Sequence, residues 1–212
     1  MEISENEVLH YLGYHGSAAE ERVSALIRQL TTELEACLNP KNLFEIFDCR
    51  VDFPVVVLGD MTINSANLAE HLKDCRRAAL LAATLGTGAD TLIRRYSVQD
   101  MEKAAVAQAI CAATIEAYCG QIECEIAKKT RLTGALYLTA RFSPGYGDFK
   151  LNHQKDILRL LNCGQIGLTL TDGYMLVPSK SVTAVIGLTE EKRCIKDKCE
   201  SCINEYCEFR RV

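Results

Sequence analysis

Two short stretches carry residue types that could do chemistry. The first is Arg141-Phe142-Ser143-Pro144-Gly145-Tyr146-Gly147-Asp148. Proline fixes φ and glycine admits φ > 0, so an extended strand end breaks here into a tight turn that presents backbone N–H and C=O groups. An arginine at a strand end can hold a carboxylate through two hydrogen bonds, and a tyrosine adds a flat face with a polar tip. On spacing alone, a surface turn with a solvated arginine accounts for the same residues. The second stretch is Cys194-x4-Cys199-x2-Cys202-x4-Cys207. Four close sulfurs suit tetrahedral zinc or an iron–sulfur cluster. A redox dithiol at Cys199 and Cys202 and a metal-free tail are the alternatives, because the outer spacings match no common finger or ferredoxin pattern. Lys192, Arg193, Lys196 and Lys198 would offset thiolate charge there.

Other chemistries lose support from what the sequence lacks. No Gly-x-Gly-x-x-Gly opens a helix, since Gly86-Thr87-Gly88 has no third glycine, and there is no Gly-Lys-Ser/Thr phosphate loop. There is no Gly-x-Ser-x-Gly elbow either. The four histidines, His10, His15, His71 and His153, form no His-x-x-x-His ligand pair. A net charge of −4 over 212 residues gives no basic footprint for nucleic acid. Long uncharged runs such as Ala78 to Ala89 and Ala104 to Ile115 fall short of the ~18 residues of a membrane span. The start, Met1-Glu2-Ile3-Ser4-Glu5, lacks the basic-then-apolar order of a signal peptide, so a cytoplasmic protein is expected. Eleven cysteines, an odd number, then read as free thiols rather than a disulfide framework. Cys37, Cys49, Cys75, Cys111, Cys119, Cys124 and Cys163 mostly have apolar neighbours, as small buried hydrophobes do.

The elements that must position these residues follow from patterning. Ser4-Glu5-Asn6-Glu7 and Ser17-Ala18-Ala19-Glu20 have capping-box form. Val23, Ile27, Leu30, Leu34 and Leu38 recur at helical spacing until Asn39-Pro40. Phe44 to Phe47 and Val55 to Leu58 predict strands. Ser65 caps a helix carrying Leu68, Leu72 and Cys75, while Ala78 to Leu85 suits either a buried strand or a helix. Ser97-Val98-Gln99-Asp100 predicts the start of a helix lasting to about Lys129, with the stripe Val98, Met101, Ala105, Ala112, Ile115, Cys119, Ile122 and Ile126. Thirty-odd residues give roughly 45 Å, enough to cross a domain. Ala104, Ala107, Ala113 and Ala117 on its far side indicate cover on more than one face. Leu136 to Phe142 reads as extended, Gln154 to Leu161 as a helix, and Gly167 to Leu170 (running on towards Met175) and Ser181 to Leu188 as strands. Without a βαβ rhythm this is an α+β single domain: a largely antiparallel twisted sheet, a long central helix and flanking helices over residues 1–188. A short Cys-rich tail follows over residues 189–212.

Arg-x-x-Pro-Gly-Tyr after a long Ala-rich helix resembles the reactivation domain of cobalamin-dependent methionine synthase. Leu168-Thr169-Leu170-Thr171-Asp172-Gly173-Tyr174-Met175 and Pro178-Ser179-Lys180-Ser181-Val182 resemble that family's Leu-Thr-(x)-Ser strand, proline turn and Ser-Val strand. Ile115-Glu116-Ala117-Tyr118 is similar to its Ala-Glu-Ala-Phe segment. The likeness covers roughly residues 97 to 188 and points to short, free-standing homologues of the domain.

The resemblance implies a module that binds S-adenosylmethionine and supports reductive methylation of cobalamin. Arg141 would hold the ligand's carboxylate, Ser143 and Gly145 would offer backbone hydrogen bonds, Tyr146 would sit where the ligand meets the corrin, and Glu116 would face its cationic end. In that family's chemistry, one electron from a flavodoxin-like or ferredoxin-like donor would reduce Co(II) to Co(I), which would take the sulfonium methyl and leave the ligand as a neutral thioether. The cobalamin-binding signature Asp-x-His-x-x-Gly is missing, so cobalamin would be held by a partner methionine synthase or other corrinoid methyltransferase. The family's N-terminal acidic ligand contact has no motif to place it; Asp48, Asp52 and Asp60 are its candidates. Two other functions compete: an electron-transfer protein using the C-terminal cysteines, and a non-catalytic accessory subunit of a methyltransferase.

Overall fold

The computed structural model describes residues 3–14, 20–131 and 137–190. Its frame is a six-stranded antiparallel sheet in the order β3-β2-β1-β4-β8-β5. The strands are β1 (Lys41–Asp52), β2 (Val55–Leu58), β3 (Met61–Asn64), β4 (Arg77–Thr84), β5 (Tyr137–Leu138) and β8 (Ser181–Thr189). A separate two-stranded hairpin pairs β6 (Thr169–Leu170) with β7 (Leu176–Val177).

The ambiguous run Ala78 to Leu85 is the central strand, β4, paired over its whole length with β1 on one side and β8 on the other. Its continuous apolar character follows from burial on both faces. Ala79, Leu81 and Ala83 pack with α2 (Glu21–Glu35), α4 (Thr87–Gln99) and α5 (Met101–Arg131). Ala78, Leu80 and Ala82 pack on the opposite face with Leu68 and Leu72 of α3 (Ala66–Leu72), Ile157 of α6 (Gln154–Leu160) and Phe149. The fold is therefore three layers, with helices on both sides of one antiparallel sheet.

Several expected boundaries move. Ser4 precedes α1 (Glu5–Tyr11), but its hydroxyl makes no capping bond; Glu20 precedes α2, and Ser17 lies outside the described residues. The long helix starts at Met101 rather than at Ser97, because Asp100 is its cap: the carboxylate accepts from the Lys103 N–H at 3.1 Å. Ser97 belongs to the last turn of α4, with its hydroxyl on the Ile93 carbonyl. Val98 and Met101, taken as the start of the apolar stripe, are exposed, and so is Ala105; Ala104, Ala107 and Cys111 are buried instead. The helix α4 was hidden by its glycine-rich entry. Gly86 precedes it at φ +82°, a conformation that favours glycine, and a Cβ on Gly88 would lie 2.0 Å from the Cys37 carbonyl oxygen, so the first glycine serves the backbone and the second packing. The stretch after Leu170 turns at Thr171 to Tyr174 into β7 instead of running on to Met175.

Five thiols, Cys49, Cys75, Cys111, Cys119 and Cys163, are buried, and Cys37 is half-buried. Cys124 departs from the expectation and is exposed. Cys194, Cys199, Cys202 and Cys207 lie outside the described residues. No described helix is long and apolar enough to cross a membrane.

Candidate ligand site around Arg141

Arg141 follows β5 and is only 13% exposed. Its Nη2 donates to Glu116 Oε2 at 2.7 Å, and its Nε lies 2.5 Å from Glu123 Oε1. The Nε contact is off the N–H direction, so that buried donor has no hydrogen bond. Glu116 and Glu123 stand seven residues apart on α5, a spacing that puts both on one helix face. Burial opposes charge on the guanidinium, but Glu116, the Cys119 sulfur and Glu123 outweigh it and raise Arg141 above the ordinary arginine value. Glu116, expected to face the cationic end of a ligand, is paired here with Arg141.

The turn beyond Arg141 is tightly made. Phe142 bridges Val185 of β8 in both directions, at 2.9 and 2.8 Å. The Tyr146 N–H donates to the Ser143 carbonyl at 3.1 Å, and the Gly145 N–H to the Phe149 carbonyl at 2.6 Å. The Gly145 N–H is thus committed inside the turn. Pro144 is buried, while Tyr146 is 54% exposed with its ring edge-on to Phe142 at 6.0 Å.

Two cavities meet at the ion pair. One, of about 200 Å³, is lined by Glu116, Arg141, Ser143, Pro144 and Tyr146, with Gln154 and Thr183 behind them. The other, of about 340 Å³, is lined by Glu116 and Arg141 again, with Ser4, Glu7 and Ala113. The Arg141–Glu116 pair is their shared wall. Ligand pockets run to roughly 300–1,000 Å³, a range that the second cavity enters alone and the first only in combination with it. Four of the five expected ligand residues, Glu116, Arg141, Ser143 and Tyr146, line the first cavity, and Gly145 sits in the same turn.

Sequence reasoning missed four residues. Glu123 was legible only as a carboxylate one heptad from Glu116. Gln154 is 6% exposed and its side-chain oxygen accepts from the Thr183 hydroxyl, a buried polar pair that no local pattern announces. Glu7 belongs to the first capping box and faces the second cavity from α1. The acidic residues considered from the N-terminal part are engaged elsewhere: Asp60 holds Arg159 through two hydrogen bonds, at 2.7 and 2.8 Å, and Asp52 pairs with Arg50 at 3.0 Å. Asp48 lines a different cavity with Arg50.

Residues 53–196 match the model of the family described as vitamin B12 dependent methionine synthase, activation domain. The chain belongs to that family. The matched range contains α3, α5, the 141–148 turn and β8, so the cluster around Arg141 is built from activation-domain sequence. Helix α1, which carries Glu7, lies before it. Among solved structures, the MetH reactivation domain bound to AdoHcy superposes with a TM-score of 0.64 at 16% identity, over 82% of this chain. The chain spans 66% of the length of that reactivation domain. The activation-domain fold is thereby established for this chain. No curated protein matches it. Among the described residues, no group of three or more His, Cys, Asp or Glu side chains could hold a metal ion.

Proposed function

We propose that this activation-domain chain binds S-adenosylmethionine in the paired cavities around Arg141 and supports reductive methylation of cobalamin held by a partner methionine synthase or corrinoid methyltransferase. The observation that carries the proposal is the Arg141–Glu116 pair, which faces both cavities from inside the family match. The donor set suits a ligand with one carboxylate and two cationic groups. A guanidinium carries five N–H donors, so Arg141 keeps capacity for a carboxylate beyond its two glutamates. Glu116, Glu123 and Glu7 leave the surroundings negative, which favours an ammonium and a sulfonium.

S-adenosylmethionine would supply the sulfonium methyl. The chain's own contribution is positioning and exclusion of water, where effective molarity arises. Arg141 and Glu116 fix the amino-acid end, Ser143 and Gly145 border the ligand with backbone, and Tyr146 stands at the rim where a partner's corrin would meet it. None of these steps requires a general base. The electron donor in this proposal is flavodoxin-like or ferredoxin-like, and the work is cytoplasmic.

The test mixes the chain anaerobically with a corrinoid methyltransferase lacking its own activation domain, a one-electron donor and methyl-labelled S-adenosylmethionine. Methyl label on the partner's cobalamin, dependent on this chain, is the expected result; equal labelling without the chain overturns the proposal. We also propose that the residues after β8, from Glu190 onward, form a separate tail whose Cys194, Cys199, Cys202 and Cys207 bind zinc or an iron–sulfur cluster. Metal analysis of the wild type beside a Cys199→Ser/Cys202→Ser variant decides this: equal metal content in the two removes it.

A further inference from the structure

We propose that α3 is a splint for the ligand turn, and that Asp148 and His71 are positioning residues that set Arg141 and Tyr146; the inference rests on the ligand site proposed above. Residues 140–148 have almost no regular structure of their own beyond the Phe142–Val185 bridge. Arg141 is gripped from one side by α5. From the other side the segment is tied to α3 at both ends.

At the first turn of α3, the Asp148 carboxylate accepts from the Ser65 hydroxyl, from the Ala66 N–H at 2.7 Å and from the Asn67 N–H at 3.2 Å. The tie is reciprocal, because Asn67 Oδ1 accepts from the Asp148 N–H at 3.1 Å. The fit is also steric. Gly147 sits at φ +54°, and a Cβ there would lie 2.4 Å from Asn67 Oδ1. At the last turn, His71 Nε2 lies 2.8 Å from the Ala140 carbonyl oxygen. A carbonyl only accepts, so Nε2 carries the proton. The His71 ring also packs on Phe142, with centroids 5.1 Å apart. Seven residues of helix extend roughly 10 Å, so the two ties brace the turn at separated points and leave Ser143 to Tyr146 as the span between them. Arg141 lies beside one tie and Tyr146 two residues from the other.

The experiment has one arm without ligand and one with it. In the free protein, amide hydrogen exchange over residues 140–149 is compared with that of β4 and β8 in Asp148→Ala, His71→Leu and His71→Gln. Asp148→Ala and His71→Leu are expected to speed exchange in the turn at least tenfold while β4 and β8 keep their protection. His71→Gln, whose amide N–H can replace the Nε2 donor, is expected to restore most of it. In calorimetric titrations with S-adenosylmethionine, Asp148→Ala is expected to weaken binding about tenfold, and Asp148→Ala/Tyr146→Ala to bind no more weakly than Tyr146→Ala alone. Non-additivity of that kind marks action through the same group. Unchanged exchange in the turn, or fully additive losses of affinity, overturns the splint. Failure of the wild type to bind S-adenosylmethionine would instead sink the ligand reading, and the exchange arm would still decide whether α3 holds the turn.

Discussion

At Arg141 a single guanidinium stands against two carboxylates, so its removal does more than delete one hydrogen bond. Arg141→Ala leaves Glu116 and Glu123 without this counter-ion, and hydrogen bonds to charged groups are worth about 1.5–3 kcal/mol. Denaturant unfolding should show a loss of that order, with a smaller loss for Glu123→Gln because Glu116 still holds the arginine. An unchanged midpoint for Arg141→Ala would mean the pair is not formed. The thiols give a second check. Burial pushes Cys49, Cys75, Cys119 and Cys163 up to about 11 and Cys111 to about 12. Only a thiolate alkylates readily. Peptide mapping after brief alkylation near pH 8 should therefore find Cys124 labelled and these five protected until denaturant is added. The residue types of the 141–148 turn were legible directly, and so was the burial of most cysteines. Glu123 was not, because recognising it requires knowing which face of α5 looks at Arg141.

Among the elements, α3 and the turn it braces carry the pH dependence. The Ser65 hydroxyl first, then the Ala66 and Asn67 amides, hold the Asp148 carboxyl below the ordinary aspartate value. The folded value is thus lower than the unfolded one, so the tie stabilises fully above about pH 4 and is lost as pH falls through the folded value. Exchange protection of residues 140–149 should fall on acidification in the wild type, and Asp148→Asn should lose that dependence. Gly147→Ala strains both the positive φ and the contact with Asn67; a destabilisation of about 1–3 kcal/mol is expected in thermal or denaturant melts. Element identity was mostly readable where periodicity was strong, as in α2. It failed at α4, which no apolar pattern announced and whose entry at Gly88 is packed against Cys37, and at Ser97, where the better capping group stood three residues on at Asp100.

For the whole molecule, the sheet is the part that sequence could not order. Neighbours β4 and β8 are separated in sequence by roughly two thirds of the matched range, and no local pattern encodes their pairing. The run Ala78 to Leu85 lacked alternation for the same reason that it is central: both of its faces are covered. Leu81→Ala, in the fully buried middle of β4, should cost about 2–5 kcal/mol in denaturant unfolding, whereas an edge position would lose far less. The class of fold was legible from element order alone, while the convergence of α1, α5 and the turn on two adjoining cavities became visible only in three dimensions. That convergence is the basis of the functional account. Its central claim is that the cavities around Arg141 take S-adenosylmethionine, and a calorimetric titration of that ligand into wild type and Arg141→Ala tests it most directly. The account predicts saturable one-to-one binding to the wild type that Arg141→Ala weakens at least tenfold. No binding to a folded wild type, or equal binding to the two proteins, would contradict it.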